Sequence, residues 1–419
     1  MRPIALLPVV LCLLGHVACA DEPPPHAQFP QAPGKAEPPL DFDLKKKTNI
    51  RWIADAPLGA SSPITDGKHV YLTATDGESK QWLIAYDADT GKQAWQAVIR
   101  TDATRDGLHA EVFDETVFAA STPALHGKHV AALFATGDLA VVDNTGNVVW
   151  TKNLGDPENL YGYASSPIIV DGNVIVQWDT ADAADLLAFE LATGKLAWSV
   201  TREVLNSWAT PIAIDTDAGA GKQIVTVSIA RVVGHDAGTG KQLWHVDGIE
   251  ADENESVNAS PVFVAGRVIV VDPGNERLLA IKPDGKGDVT RTHVAWTAEA
   301  EAGIVSIPTP AAHGDNVIAV TYDGFACFRV KDGKKLWELE LDDMVAGYAS
   351  PIVAAGHLFL FDEDGAMNIL KLADDGSSAK PKPLKHIAIA RTAGATPAFH
   401  KNHIYVRTEK QLICIARLK

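Results

Sequence analysis

The chain has 419 residues, 46% of them hydrophobic, and a formal net charge of −16. That is more sequence than one ordinary core organises, so it implies either several domains or one repeat architecture. The acidic balance, with no Lys/Arg stripe interleaved with aromatics, excludes a protein built to neutralise nucleic-acid phosphates.

In chain order, residues 1–20 read as a secretory signal. Arg2 supplies the positive charge, Ile4 to Leu14 the apolar run, and Ala18-Cys19-Ala20 a small-residue cleavage site. The apolar run is too short to span a bilayer comfortably. The alternative to cleavage after Ala20 is lipidation of Cys19, with His16 standing where such signals usually carry Leu. Residues 21–47 are rich in Pro, Ala and charge, a composition expected of a disordered linker. Lys45-Lys46-Lys47 closes that stretch and reads as a solvated run rather than a lipid-binding patch.

From residue 48 onward the sequence repeats. A Ser/Thr-Pro dipeptide precedes an apolar run eight times, at Pro63, Pro123, Pro167, Pro211, Pro261, Pro310, Pro351 and Pro397. Successive prolines lie 41 to 60 residues apart, the length of a propeller blade. A second signature sets Gly four residues before Trp in five repeats: Gly91 and Trp95, Gly146 and Trp150, Gly194 and Trp198, Gly240 and Trp244, Gly333 and Trp337. Roughly one such pair would arise by chance from this composition, so five establish a repeat. The fuller turns, such as Asp87-Ala88-Asp89-Thr90-Gly91-Lys92, place an Asp that caps with its side chain and a Gly that takes positive φ. They lack the alternating carboxylates of a calcium loop. The following strand is expected to deliver Trp to a seam between blades.

Three repeats depart from the pattern. The fifth stretches its turn through Lys282 to Gly287 before Trp296. The seventh has no Trp, and Ile387 and Ile389 are expected to fill that strand. The eighth ends before any Trp strand, so Asn49 to Ile53, carrying Trp52, is expected to complete it and close the ring. Cys327 and Cys414 sit in similar apolar strand settings and read as two buried free thiols.

The combination Asp-x-x-Thr-Gly-Lys-x-x-Trp with Ser/Thr-Pro resembles the tryptophan-docking repeat of quinoprotein-like propellers, over about residues 49–419. The resemblance implies an all-β, eight-bladed propeller of four-stranded antiparallel blades over residues 48–419. It is specific for fold and poor for function. Its members include pyrroloquinoline-quinone dehydrogenases, the propeller lipoprotein of barrel assembly, and many exported bacterial repeat proteins.

Two functions follow. One is a non-catalytic, monomeric platform without cofactor, periplasmic, secreted or lipid-tethered, that binds an envelope protein, peptide or glycan. Outer-membrane protein assembly is its most concrete form. The alternative is a pyrroloquinoline-quinone dehydrogenase of alcohols or sugars using calcium. Against it stand the lack of adjacent cysteines and of a Cys-x-x-Cys-His haem attachment. No Gly-x-Ser-x-Gly elbow, zinc-protease motif or phosphate loop is present either. His109, Glu111, Asp114 and Glu115 cluster in a long insertion, which reads as a solvated loop with metal binding as the alternative. For a platform, the residues feeding each Ser/Thr-Pro would ring the channel mouth. The candidates are Tyr163, Asn206, Trp208, Glu255, Asn258, Tyr348 and Arg391, with His109 overhanging; inter-blade packing is the other reading for Trp208 and the tyrosines.

Overall fold

The computed structural model describes residues 26–27, 29, 36–77, 80–100, 118–155, 162–179, 184–205, 207–216, 221–251, 257–342, 344, 347–373, 379–390 and 394–418. Within them the chain forms eight antiparallel sheets, each built on four strands in meander order, arranged as the blades of one propeller. Among these residues, no helix is long and apolar enough to cross a membrane.

Strand composition follows position in the blade. The second and third strands are covered on both faces by neighbouring blades, so they are almost continuously apolar; Val70, Tyr71 and Leu72 are fully buried. The outermost strand faces solvent on one side and alternates, as Val294–Glu299 does. The innermost strand borders the central channel and begins just after the repeated proline. Proline has no N–H to donate, which suits a strand whose edge is unpaired.

The residue before that proline closes the ring chemically. The backbone N–H of Ser62 donates to Thr122 Oγ1 in the next blade at 3.0 Å. Thr122 does the same to Ser166 Oγ at 2.9 Å, and Ser166 to Thr210 Oγ1 at 3.0 Å. The series continues from Thr210 to Ser260, Ser260 to Thr309 and Thr309 to Ser350, each at 3.0 Å. Ser350 donates to Thr396 at 2.8 Å, and Thr396 returns to Ser62 Oγ at 2.9 Å. Every blade thus gives one hydrogen bond and receives one. All eight residues are buried, so each bond replaces water that cannot reach the group.

At the outer radius the tryptophans do the equivalent work. Trp52 Nε1 donates to Ala88 O at 3.0 Å, Trp95 to Asn144 O at 3.1 Å, Trp150 to Leu191 O at 2.9 Å and Trp296 to Val330 O at 2.8 Å. Each ring lies on the turn glycine of the following blade. A Cβ at Gly91 would fall 2.6 Å from Trp52, and one at Gly333 2.7 Å from Trp296. These glycines also hold positive φ, +71° and +73°. In the turn itself, Asp87 Oδ1 accepts from the Thr90 N–H at 2.8 Å and from its hydroxyl at 2.7 Å. One repeat therefore carries both halves of a seam: its turn receives the previous tryptophan, and its outer strand sends one forward.

Ring closure is as the sequence implies. Ile50–Asp55 is the outer strand of the eighth sheet, pairing antiparallel with Gln411–Ala416, Trp52 opposite Cys414. The junction is reinforced by Arg407, whose Nη1 donates to Ser61 O, Ser61 Oγ and Thr73 O and whose Nη2 donates to Pro57 O. Burial pulls this guanidinium down to about 10. Cys327 and Cys414 are free and buried, in different blades, with burial pushing both thiols up to about 12.

Two segments differ from the sequence reading. The linker expected over 21–47 does not extend as a solvated tether to its end. From Ala36 onward the chain packs: Ala36 and Phe42, each 3% exposed, join the buried cluster of the seventh and eighth blades, with Ile387 and Ile389 against it. The seventh outer strand is the one without tryptophan, and Phe42 supplies an aromatic ring to the cluster there. A proline-rich composition hid this, although Leu40 and Leu44 pack against the cluster as well. The stretched fifth turn adds a strand instead of merely lengthening a loop. Gly287–Asp288 pairs in parallel with the outer strand of the fourth blade, Gly287 opposite Trp244. Trp244 is fully buried there and donates to Gln223 Oε1 at 2.8 Å.

Two outcomes are expected. Trp52→Ala removes the closing wedge and should cost about 3–5 kcal/mol in denaturant unfolding. Thr210→Val keeps shape but strands the buried Ser166 N–H, and should cost about 1–3 kcal/mol by the same measurement.

Candidate functional site

Counting back from each repeated proline shows how the channel is lined. The residue immediately before it is the hydroxyl of the ring. The residue two before it is buried in the blade seam: Ser61, Ser121, Ala209, Ala259, Ala349 and Ala395 are all within 1% of full burial. The residue three before it faces the axis again. This is the two-residue period of extended backbone. Both axis-facing sets, the hydroxyls and the residues three before the proline, line one central cavity of about 800 Å³.

The second set is lopsided. The first, second, third and eighth blades contribute Ala60, Ala120, Ala164 and Gly394, which leave space. The fourth to seventh contribute Trp208, Asn258, Ile307 and Tyr348, which form a wall. Trp208 bridges a seam as well, its Nε1 donating to Gly162 O at 3.3 Å. Tyr348 is 52% exposed, and its Cβ lies against Gly394, where an added Cβ would come within 2.9 Å. Phe29, Leu58, Asp362, Glu363, Glu409 and Lys410 complete the mouth.

Three expected site residues, Trp208, Asn258 and Tyr348, therefore come together on one wall. Tyr163 does not join them. It stands four before its proline, is only 2% exposed, and packs beside Trp178 with ring centroids 5.9 Å apart. Its carbonyl accepts from Ser121 Oγ at 2.9 Å, so it is a seam residue. His109, Asn206, Glu255, Arg391 and Cys19 lie outside the described residues. Ile307 and the eight hydroxyls were missed, although the odd-numbered spacing from proline would have found them. Phe29 and Leu58 carry no such signal.

The described lining does not fit a calcium-bound tricarboxylate quinone. Lys410 is its one cation, while a tricarboxylate needs several. Asp362, the buried carboxylate, is already spent on its own turn: it accepts from the Ala366 N–H at 2.8 Å and Asn368 Nδ2 at 2.7 Å. Hydroxyls, an indole, an amide and a phenol instead suit hydrogen bonding and apolar contact with a neutral or polar chain. Among the described residues one His/Asp group could hold a metal, His245, Asp247 and Asp288, far out on the fourth blade's edge. Arg231 Nε already occupies Asp247 at 2.6 Å, and Asp288 caps Thr290 at 3.0 Å.

The family model described as outer membrane protein assembly factor BamB matches four overlapping stretches, residues 45–177, 79–312, 182–361 and 285–406. The outer membrane protein assembly factor BamB of Yersinia pestis is 23% identical over 338 residues, 78% of this chain and 75% of that protein. The dehydrogenase subunit of the quinone alcohol dehydrogenase of Gluconacetobacter polyoxogenes is 32% identical over 144 residues, 32% of this chain but 19% of that protein. Among solved structures, BamB from Moraxella catarrhalis aligns with a TM-score of 0.60 at 16% identity, covering 87% of this chain and 99% of that one. A europium-containing methanol dehydrogenase aligns at 0.64 and 12% identity, covering 89% and 87%. These structural likenesses concern the fold.

Tyr163→Ala should lower stability by about 3–5 kcal/mol in denaturant unfolding, as a truncated buried aromatic does. Asn258→Ala, on the cavity wall, should cost clearly less than Tyr163→Ala by the same measurement.

Proposed function

The chain belongs to the family described as outer membrane protein assembly factor BamB, and from that premise we propose that it is an exported, non-catalytic propeller that docks a protein segment at its channel mouth. The observation that carries this reading is the lopsided mouth: an aromatic and amide wall of Trp208, Asn258 and Tyr348 facing an open crescent of Ala and Gly. A wall with an exposed tyrosine and a half-buried tryptophan is the composition of a binding hot spot. Participation in outer-membrane protein assembly is the specific form we favour, supported by the likeness to the Yersinia pestis protein along three quarters of that protein's length. In this reading residues 1–20 direct export, cleaved after Ala20 or lipidated at Cys19, and the few residues between Ala20 and His26 link a periplasmic ring to the envelope. The protein acts as a monomer.

The dehydrogenase reading is supported by local matches to several quinone alcohol dehydrogenase subunits, among them the 32% identity given above. That match spans 19% of the enzyme, and the described cavity residues do not suit its cofactor. Reconstitution with pyrroloquinoline quinone and calcium tests it: oxidation of alcohols or sugars would overturn the platform reading.

Trp208→Ala combined with Tyr348→Ala should reduce co-purification of the protein's envelope partner at least about tenfold, with the β-sheet circular dichroism of the parent kept and the thermal midpoint lowered by loss of the Trp208 seam bond. Undiminished capture by the double variant would remove the mouth as the docking site. Recovery of no barrel-assembly component from envelope extracts would remove the assembly role.

A further inference from the structure

Among the described residues, one inner strand of the ring carries a further strand on its channel side. His26–Ala27 pairs antiparallel with Ala124–His126, the innermost strand of the second blade, in the register His26 to His126 and Ala27 to Leu125. The second sheet thereby gains a fifth strand on its channel side. Two residues further on, Phe29 is half-buried and lines the central cavity. Residues 26, 27 and 29 thus lie along the channel.

Three features explain why it lies there. The second blade and its neighbours are the open side of the mouth, with Ala60, Ala120 and Ala164 where the opposite blades carry Trp208, Asn258, Ile307 and Tyr348. An extended chain needs that space. The edge strand offers unpaired N–H and C=O groups, which bind any backbone of matching register. The segment itself is bounded by Pro25 and Pro30, neither of which can donate. His26 to Phe29 is therefore a four-residue unit able to pair, against an inner strand of three.

We propose that the inner edge of the second blade is a strand-accepting site for a short extended peptide bearing an aromatic side chain, and that residues 26–29 are its resident occupant. The proposal rests on the mouth being the docking site and gives that site its ligand chemistry. Main-chain pairing supplies general affinity, and the cavity reads the aromatic ring. An incoming segment exchanges with the tail, so the tail sets a threshold for binding without sealing the channel.

Disulfide trapping tests it in the full chain, with Cys12 and Cys19 replaced by Ser. Directly opposed residues of an antiparallel pair have Cα atoms about 4.5–5.5 Å apart, within the span a disulfide bridges. His26→Cys with His126→Cys should close on mild oxidation at least about tenfold faster than His26→Cys with His313→Cys. His313 holds the same place in the sixth blade, as the last residue of Ala311–His313. Cys327 and Cys414 stay out of the reaction because burial holds their thiols protonated. A synthetic peptide of residues 22–31 in excess should slow closure severalfold, and the same peptide with Phe29→Ala should not. Equal closure to the second and sixth blades would overturn the seat. Closure indifferent to the peptide would overturn exchange at it. Neither readout involves an envelope partner, so loss of partner capture on the Trp208/Tyr348 double variant and loss of trapping fail independently.

Discussion

The ring of eight amide-to-hydroxyl hydrogen bonds is the constraint from which the rest follows. A propeller blade has no reason to stop at any given angle to its neighbour on hydrophobic grounds alone, since burial is non-directional. A backbone N–H aimed at a hydroxyl 2.8–3.0 Å away is directional. Repeated eight times and returning to its start, it fixes the inner radius and hence the channel. The tryptophans fix the outer radius. Their glycine seats allow one distance, because a Cβ there would overlap the indole. Between the two radii, the apolar second and third strands need only fill space.

The same arrangement separates structure from binding along a single stretch of backbone. In the three residues before each proline, one side chain builds the ring, the next fills the seam and the third is left over for the axis. The leftover position is where this chain varies most, from Gly394 and Ala60 to Trp208. Changing it leaves the hydroxyl ring intact, although Trp208 also reaches across a seam, to Gly162 O. A ring built this way can therefore alter its channel lining without altering how it folds, which is the usual relation of a site to a common fold.

Much of the fold was legible in sequence. The Ser/Thr-Pro spacing gave the blade count, Gly and Trp gave the seams, and Trp52 gave the closure. Each rests on residues with unusual backbone or size demands, which leave a visible mark. The hydroxyl's purpose was not legible, because a hydrogen bond across 41 to 60 residues, or 334 at closure, has no local signature. Phe42 was hidden by the prolines around it. In the site, Tyr163 and Tyr348 looked alike as aromatic feeders, yet they stand at even and odd distances from their prolines. A pleated strand sends such residues to opposite sides, and Tyr163 went into the seam.

The closing strand also has a temporal meaning. Ile50–Asp55 is made about 360 residues before its partner Gln411–Ala416. Until then the hydroxyl ring is an open arc with an unpaired amide at Thr396's place, and Trp52 has no third strand beside it. A contact of such long sequence separation forms late and slowly. Arg407, buried at the same junction, comes from the final blade as well. Closure therefore reports that synthesis has passed Ala416: a chain cut short before Gln411 leaves Ile50–Asp55 unpaired and its edge open to proteases, and one that carries Gln411–Ala416 does not.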